Sequence, residues 1–380
     1  MPTALVLSFS DLRTDPRVSR QIRWLAGEYA VTAAGLAPPD ESGVRFLPIG
    51  AADQSSATSR ALRGLRLLSR FHESAYWSAY GDAFEALQSE RPNLIVANDL
   101  DTLPLAIRLG ETSRAPVIFD AHEYAPGEFD DSWKWRLLRQ PYAAALCRRY
   151  VPKAAAVTTV GEAIADAYAG LTGVRPEVIT NAPEYHADLL PRPTADHLRL
   201  IHHGAAIPAR KIENMVRMTP LLDRRFEFNF MLVDGVRSYR EELERMAAGD
   251  PRVRFLPPVP MADLPGRLNE FDIGVFLLEP TNFNYRNALP NKFFEFLQGR
   301  LAIAIGPTPE MARIVRATGT GVVAEDFRPE SLARELNRLA VADVTRFKQA
   351  AHAVARAYSA DANREKWLAI CRRVTGEPGA

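Results

Sequence analysis

Short apolar runs alternate with longer segments of helical period along most of this chain, and that alternation leaves few folds open. "ALVLSF" at 4–9 is followed by "DPRVSRQIRWLAGEY", in which Val18, Ile22 and Leu25 share a helical face, and then by "VTAAGL" and "VRFLPI". The series continues with a helical region at about 57–88, "LIVAND" at 94–99, a helix from Thr102 and "PVIFDAHE" at 116–123. A basic helix at about 133–150, "AAVTTV", "GEAIADAYAGLTG" and "EVITNAP" complete it. Strands that are apolar throughout, rather than at every second position, are buried on both faces. That is the condition of a parallel sheet covered by its own crossover helices.

The stretch "NAPEYHADLLPRPTADH" at 181–197 breaks the pattern with prolines and polar residues and reads as a linker. Beyond it the alternation restarts with "LRLIHHG", "FEFNFMLVD", "VRFLPPV", "IGVFLL", "LAIAIG" and "GVVAED", with helices expected near Ile212, Tyr239, Ala262, Asn291 and Pro309. At 380 residues the chain exceeds the usual size of a single core. The expected fold class is α/β: two doubly wound, Rossmann-like domains, 1–185 and 196–355, followed by a terminal helical segment at 356–380. Open sheets of this kind bind ligands beyond the carboxyl ends of their strands, so the expected active site is a cleft faced by both domains.

Composition excludes several classes. The 47 Lys and Arg against 46 Asp and Glu give a net charge of +1, which offers no general attraction for nucleic acid. The two cysteines, Cys147 and Cys371, are far apart in sequence and suggest neither a disulfide framework nor a metal cluster. The first residues lack the pattern of a signal peptide, and the expected location is the cytoplasm. After the first apolar run comes "SFSDLRTDPRV", without the glycine fingerprint of dinucleotide enzymes or the lysine loop of P-loop enzymes.

"VANDLDTLPLA", "VIFDAHEY", "VTTVGEAIADAY" with "VITNAP", "HHGAAIPARKIENMV", and "NALPNKFFEFLQGR" with "TGTGVV" downstream resemble, in this order, the retaining glycosyltransferases of GT-B fold. The resemblance implies transfer of a sugar from a nucleotide-sugar to an acceptor hydroxyl, as in polysaccharide or glycoconjugate synthesis. No cofactor is implied beyond the nucleotide-sugar co-substrate, and no metal. The donor belongs in the C-terminal domain and the acceptor, a glycan, lipid-linked or small molecule, mainly in the N-terminal one. The terminal helix is expected to pack back on the N-terminal domain.

A departing diphosphate needs positive charge, which cations and helix starts supply. Arg210 and Lys211, just after the first strand of the second series, are the candidate phosphate contacts, and Gly204 is a donor-binding candidate beside them. Similar enzymes carry an arginine after that glycine. Here the residue is Ala205, and Lys292 is the expected substitute. By resemblance, Glu295 is the second acid of a Glu-x7-Glu pair and grips the ribose hydroxyls, the bland alternative being an acid that caps its helix. The first acid of that pair is replaced by Asn287, whose amide can still bond sugar hydroxyls, and Asn291 opens the helix beside it.

His122 follows a strand and by resemblance faces the donor sugar; Glu123, an acceptor-side candidate, either orients it or closes the strand end. Arg17, Asn98 and Asp99 are acceptor-side candidates. Asp99-Leu100-Asp101 spells a metal-binding Asp-x-Asp, but at a strand end before a helix Asp101 reads more simply as an N-cap. The basic, apolar stretches at 60–77, "WKWRLLRQPY" and "LCRRYVPK" read first as amphipathic helices with arginines outward. Peripheral contact with an anionic membrane is the lesser reading. A nucleotide-sugar 2-epimerase of the same architecture and a non-catalytic nucleotide-sugar binder remain alternatives in function.

Overall fold

The computed structural model describes residues 1–50, 69–233 and 235–376. Residues 60–68 of the basic, apolar stretch lie outside the described residues. The helical region expected at 57–88 is described from residue 69 and contains the helix His72–Leu87.

Two parallel sheets carry the chain. The first has the strands β1 (Thr3–Leu7), β2 (Ala30–Gly35), β3 (Arg45–Pro48), β4 (Leu94–Asn98), β5 (Val117–Ala121), β6 (Ala156–Thr159) and β7 (Glu177–Val178), in the order β3-β2-β1-β4-β5-β6-β7. The second has β8 (Leu198–Ala205), β9 (Phe226–Val233), β10 (Val253–Leu256), β11 (Ile273–Phe276), β12 (Ala302–Ile305) and β13 (Gly321–Val323), in the order β10-β9-β8-β11-β12-β13. Strand order therefore reverses between β1 and β4 in one sheet and between β8 and β11 in the other, and in open sheets such a reversal opens a ligand crevice at the carboxyl edge. β4, β5, β6, β11 and β12 are buried at every residue, as apolar runs covered on both faces must be.

Residues Met1–Ile179, Asn282–Asn284 and Arg364–Ala380 form one compact unit; Thr180–Thr281 and Tyr285–Asn363 form the other. In the first, one face of the sheet packs on the helices His72–Leu87, Leu103–Ser113 and Gln140–Tyr150. The opposite face packs on Pro16–Ala26 and on Trp367, Leu368, Ile370 and Cys371 of the helix Ala360–Thr375. In the second, one face buries Phe226, Phe228 and Phe230 against flanking helices. The other buries Phe293, Phe294, Phe296 and Leu297 of the helix Asn291–Gln298.

Two local expectations are corrected, and one expected helix holds an unforeseen turn. The strand read from "EVITNAP" is only Glu177–Val178, an edge pairing with β6 before the proline-bearing segment, which lacks regular structure. Asp101 is not an N-cap: the helix begins at Leu103, and Thr102 holds the cap position with its hydroxyl turned back to the carbonyls of Asn98, 2.7 Å, and Asp99, 3.0 Å. The basic helix at 133–150 contains a π turn, Trp135–Arg139, before continuing as Gln140–Tyr150.

Candidate active site

In the second unit, the chemistry gathers where β8 and β11 end. Lys292 and Glu295, three apart and thus on one side of their helix, are both buried and both reach the end of β8. The Lys292 ammonium donates to the His203 carbonyl at 2.7 Å, lies 3.4 Å from His202 Nε2 and sits over the Phe276 ring at 4.4 Å. Burial, then the charge of Arg210, drives the Lys292 pKa well below that of an ordinary lysine. Burial, then the charge of Lys292, hold His202 neutral, so its Nδ1–H donates to the Val275 carbonyl at 2.9 Å and its Nε2 is left as an acceptor facing Lys292. His203, pushed down to about 3 by burial and then by Lys292, is neutral as well; its Nε2 lies 3.3 Å from Glu295 Oε2.

Gly204, next to last in this strand, has φ +120°, a conformation that side chains resist. A Cβ there would stand 3.1 Å from Lys292 Nζ and 3.6 Å from an Arg210 guanidinium nitrogen. Arg210 donates to the Ala205 carbonyl at 3.4 Å, and burial lowers its pKa. Lys211, held at φ +47°, pairs with Glu279. Asn287 is buried and Asn291 half-buried at the start of the same helix. The structure thus brings Gly204, Arg210, Lys292 and Glu295 to one strand end. His202 and His203 join them, and the only sequence signal for that pair was two adjacent histidines ahead of a glycine in a strand.

In the first unit, a cavity of about 370 Å³ opens beyond β4 and β5. It is lined by Asp99, Asp101, His122, Glu123, Glu128, Trp135, Arg139 and Tyr142, with Leu100, Ala121, Ala125 and Ala143. Asp99 stands directly after β4 at φ +64°, a conformation that non-glycine residues adopt mainly under local constraint. His122 has Nδ1 3.4 Å from Asp99 Oδ1 and Nε2 3.6 Å from Asp120 Oδ2. Burial opposes the imidazolium, but the two carboxylates outweigh it and hold the His122 pKa above its ordinary value. Glu123 Oε2 accepts from the Asn284 amide at 3.0 Å, and burial raises its pKa. Burial, then Glu123, Asp99 and Asp101, push Glu128 up to about 7.

Two acceptor-side candidates are turned elsewhere. Arg17 is 6% exposed; its guanidinium forms a fork on Asp120, donating from Nε at 2.6 Å and from Nη2. Its role is therefore to hold Asp120, which also accepts from Gln21 and from Thr158, rather than to meet a ligand. Asn98 is fully buried and donates to the Leu7 carbonyl at 3.3 Å, tying β4 to β1 at the reversal of strand order. Glu128, Trp135 and Arg139 were not foreseen, because a loop acid and a π turn leave no periodic mark in a sequence.

Residues 14–183 match the model of the glycosyl transferase 4-like domain. Among curated proteins none matches the chain. Solved structures similar over nearly full length include HepE of Anabaena in complex with UDP, at 14% identity, covering 98% of this chain and 100% of that one, TM-score 0.69. The UDP-forming α,α-trehalose-phosphate synthase of Burkholderia vietnamiensis is similar at 13% identity, 99% and 100% coverage, TM-score 0.69. A glycosyltransferase of Rickettsia africae is similar at 10% identity, 98% of each chain, TM-score 0.69. At such identities the structures show the fold, which is GT-B, and residues 14–183 belong to the glycosyl transferase 4-like domain family.

Proposed function

We propose that the second unit binds a nucleotide-sugar through its diphosphate and that the sugar passes, with retention, to an acceptor hydroxyl bound in the first unit. The observation that carries this reading is the convergence of Arg210 and Lys292 on the space left by the missing side chain of Gly204. Lys292 is a cation whose burial costs it charge, and an incoming anion offsets that cost. The same two groups meet the charge that develops on the leaving diphosphate, so no resident metal is required. Glu295 accepts hydrogen bonds from the ribose diol, and Asn287 and Asn291 offer amides to the donor sugar. His122, at the rim of the first unit's cavity, faces the transferring sugar, and Glu123 supports it from its bond with Asn284. UDP in the HepE structure supports uracil as the first base to try. The acceptor is a glycan or another polyol, and the enzyme works in the cytoplasm, with a peripheral membrane contact on the first unit. Buried charge arranged around an anion site favours transfer over mere binding, and an epimerase would need no acceptor cavity.

Calorimetric titration with UDP and other nucleoside diphosphates tests the donor site. Glu295→Gln should weaken the preferred nucleotide by about 1.5 to 3 kcal/mol, the range for hydrogen bonds to a charged group. Lys292→Met should abolish detectable binding, and transfer by the wild type should persist in EDTA. Unchanged affinity in both variants, with melting curves showing folded protein, removes this site. Loss of transfer in chelator, restored by manganese or magnesium, overturns the metal-free mechanism.

A further inference from the structure

We propose that the cavity of the first unit selects an acceptor bearing an ammonium group, an amino sugar or aminocyclitol, and that Glu128 is the residue that selects it. The inference rests on reading this cavity as the acceptor site. Its volume, about 370 Å³, suits one or two sugar rings, and Trp135 offers an aromatic surface to the apolar face of a ring.

The charges decide what else the ring carries. Four carboxylates line the cavity, Asp99, Asp101, Glu123 and Glu128, against two cationic groups, His122 and Arg139. His122 is engaged by Asp99. Arg139 lies over the Trp135 ring at 5.9 Å and the Tyr142 ring at 5.3 Å, and its charge favours the ionised form of Glu128 without outweighing burial and the three other carboxylates. Glu123 is held by the neutral amide of Asn284, which leaves its charge in place. Among the described residues neither Asp101 nor Glu128 has a side-chain hydrogen bond or ion pair. The negative excess is therefore built into the wall, and the reluctance of Glu128 to ionise is its signature. A phosphorylated or uronic acceptor would add to that excess, and a neutral sugar would leave it uncompensated. An ammonium group offsets it and restores the charged form of Glu128.

The π turn contributes the shape. By taking in an extra residue it sets Trp135 and Arg139 on the cavity wall together with Tyr142 and Ala143 from the following helix, so ring platform and carboxylates face the same space.

Saturation-transfer NMR at pH 7 with glucosamine, glucose and glucuronate as probes tests the selection, with UDP binding measured on the same sample. Glucosamine should bind about 10-fold more tightly than glucose, the value of one charge-assisted hydrogen bond, and glucuronate should not bind. Glu128→Gln should bring glucosamine down to the affinity of glucose, whereas Glu128→Asp should keep part of the preference. If Glu128→Gln does not fold, Asp101→Asn must reduce the preference, and added salt must weaken glucosamine binding more than glucose binding. Glucose binding as tightly as glucosamine, or a preference untouched by these variants, overturns the proposal. Should that occur with UDP still bound, the transferase reading stands and only the selectivity fails. Absence of any nucleotide binding would remove both.

Discussion

Asp120 is fully buried at the end of β5, next to the histidine that rims the cavity, and its surroundings state what a buried carboxylate requires. Burial alone would raise its pKa, but the Arg17 guanidinium and His122 outweigh burial and hold it far below the carboxylate range. A folded-state pKa below the unfolded one contributes stability that is fully present above about pH 4 and is lost as pH falls through the lower range. Arg17→Leu reverses the balance, since burial then dominates and the carboxyl is charged in the fold only at a cost. The variant should lose about 3 to 5 kcal/mol in urea unfolding at pH 7. Its deficit relative to the wild type should shrink on going to pH 5, as Asp120 takes up a proton; the deficit is the measure because His122 and Glu128 titrate over the same interval in both proteins. A variant with wild-type stability at pH 7, or one whose deficit grows on acidification, would show that Arg17 does not hold Asp120.

At the scale of elements, two helices carry most of the site, and each departs from ordinary amphipathic design. Asn291–Gln298 is buried from Lys292 to Gln298, and its two ionic residues meet partners at the end of β8, His203 for both and His202 for Lys292. It can approach the sheet this closely because β11 has Gly274 beneath it; a Cβ there would lie 2.4 Å from the Phe296 ring. The helix at 133–150 shows the opposite face of the same economy. Its π turn serves the cavity, while Trp133, 63% exposed, and Leu137, 58% exposed, stand out beside the exposed Lys134 and Arg136. Apolar side chains flanked by cations suit the interface of an anionic bilayer, where each Lys or Arg contributes about 1 kcal/mol. The protein should therefore sediment with vesicles containing anionic phospholipid and not with neutral ones, and the double variant Trp133→Ala, Leu137→Ala should sediment several-fold less. Equal sedimentation with both lipids, or an unaffected double variant, would count against membrane contact. Among the described residues no helix is long and apolar enough to cross a membrane.

At the scale of the molecule, the first unit is completed by residues remote in sequence. Trp367 is fully buried among Val18, Ile22, Tyr29 and Leu94, and Arg372 pairs with Glu28 at 2.5 Å. Asn284 meets Glu123 and the Tyr124 backbone, and Phe283 packs on Tyr124. Removing residues from 364 onward takes the Trp367 side chain and its neighbours out of the first unit's core. Trp→Ala alone costs about 3 to 5 kcal/mol at such a site. Limited proteolysis of the truncated chain should cut within residues 1–179 under conditions where the full chain resists, and Trp367→Ala should lower the melting temperature of the full-length protein. Unchanged cleavage and melting would mean that this helix contributes nothing to the first unit.

The strand series, their parallel arrangement and the helix that follows "NALP" were legible in the sequence. Hydrophobic period and chain punctuation are local properties, and a strand buried on both faces must be apolar at every position. Arg210 could be named because it stands between a strand end and a helix start, which the period locates, whereas Glu295, Lys292 and Gly204 were named through the resemblance of their motifs to a known family. The partners were not legible. That Arg17 is committed to Asp120, that His203 sits against Glu295, that Asn284 reaches Glu123, and that Glu128 joins three other carboxylates around one cavity are consequences of contacts between residues far apart in the chain. Burial and the summed field of such neighbours set the charge of each group, and neither exists until the sheets are assembled.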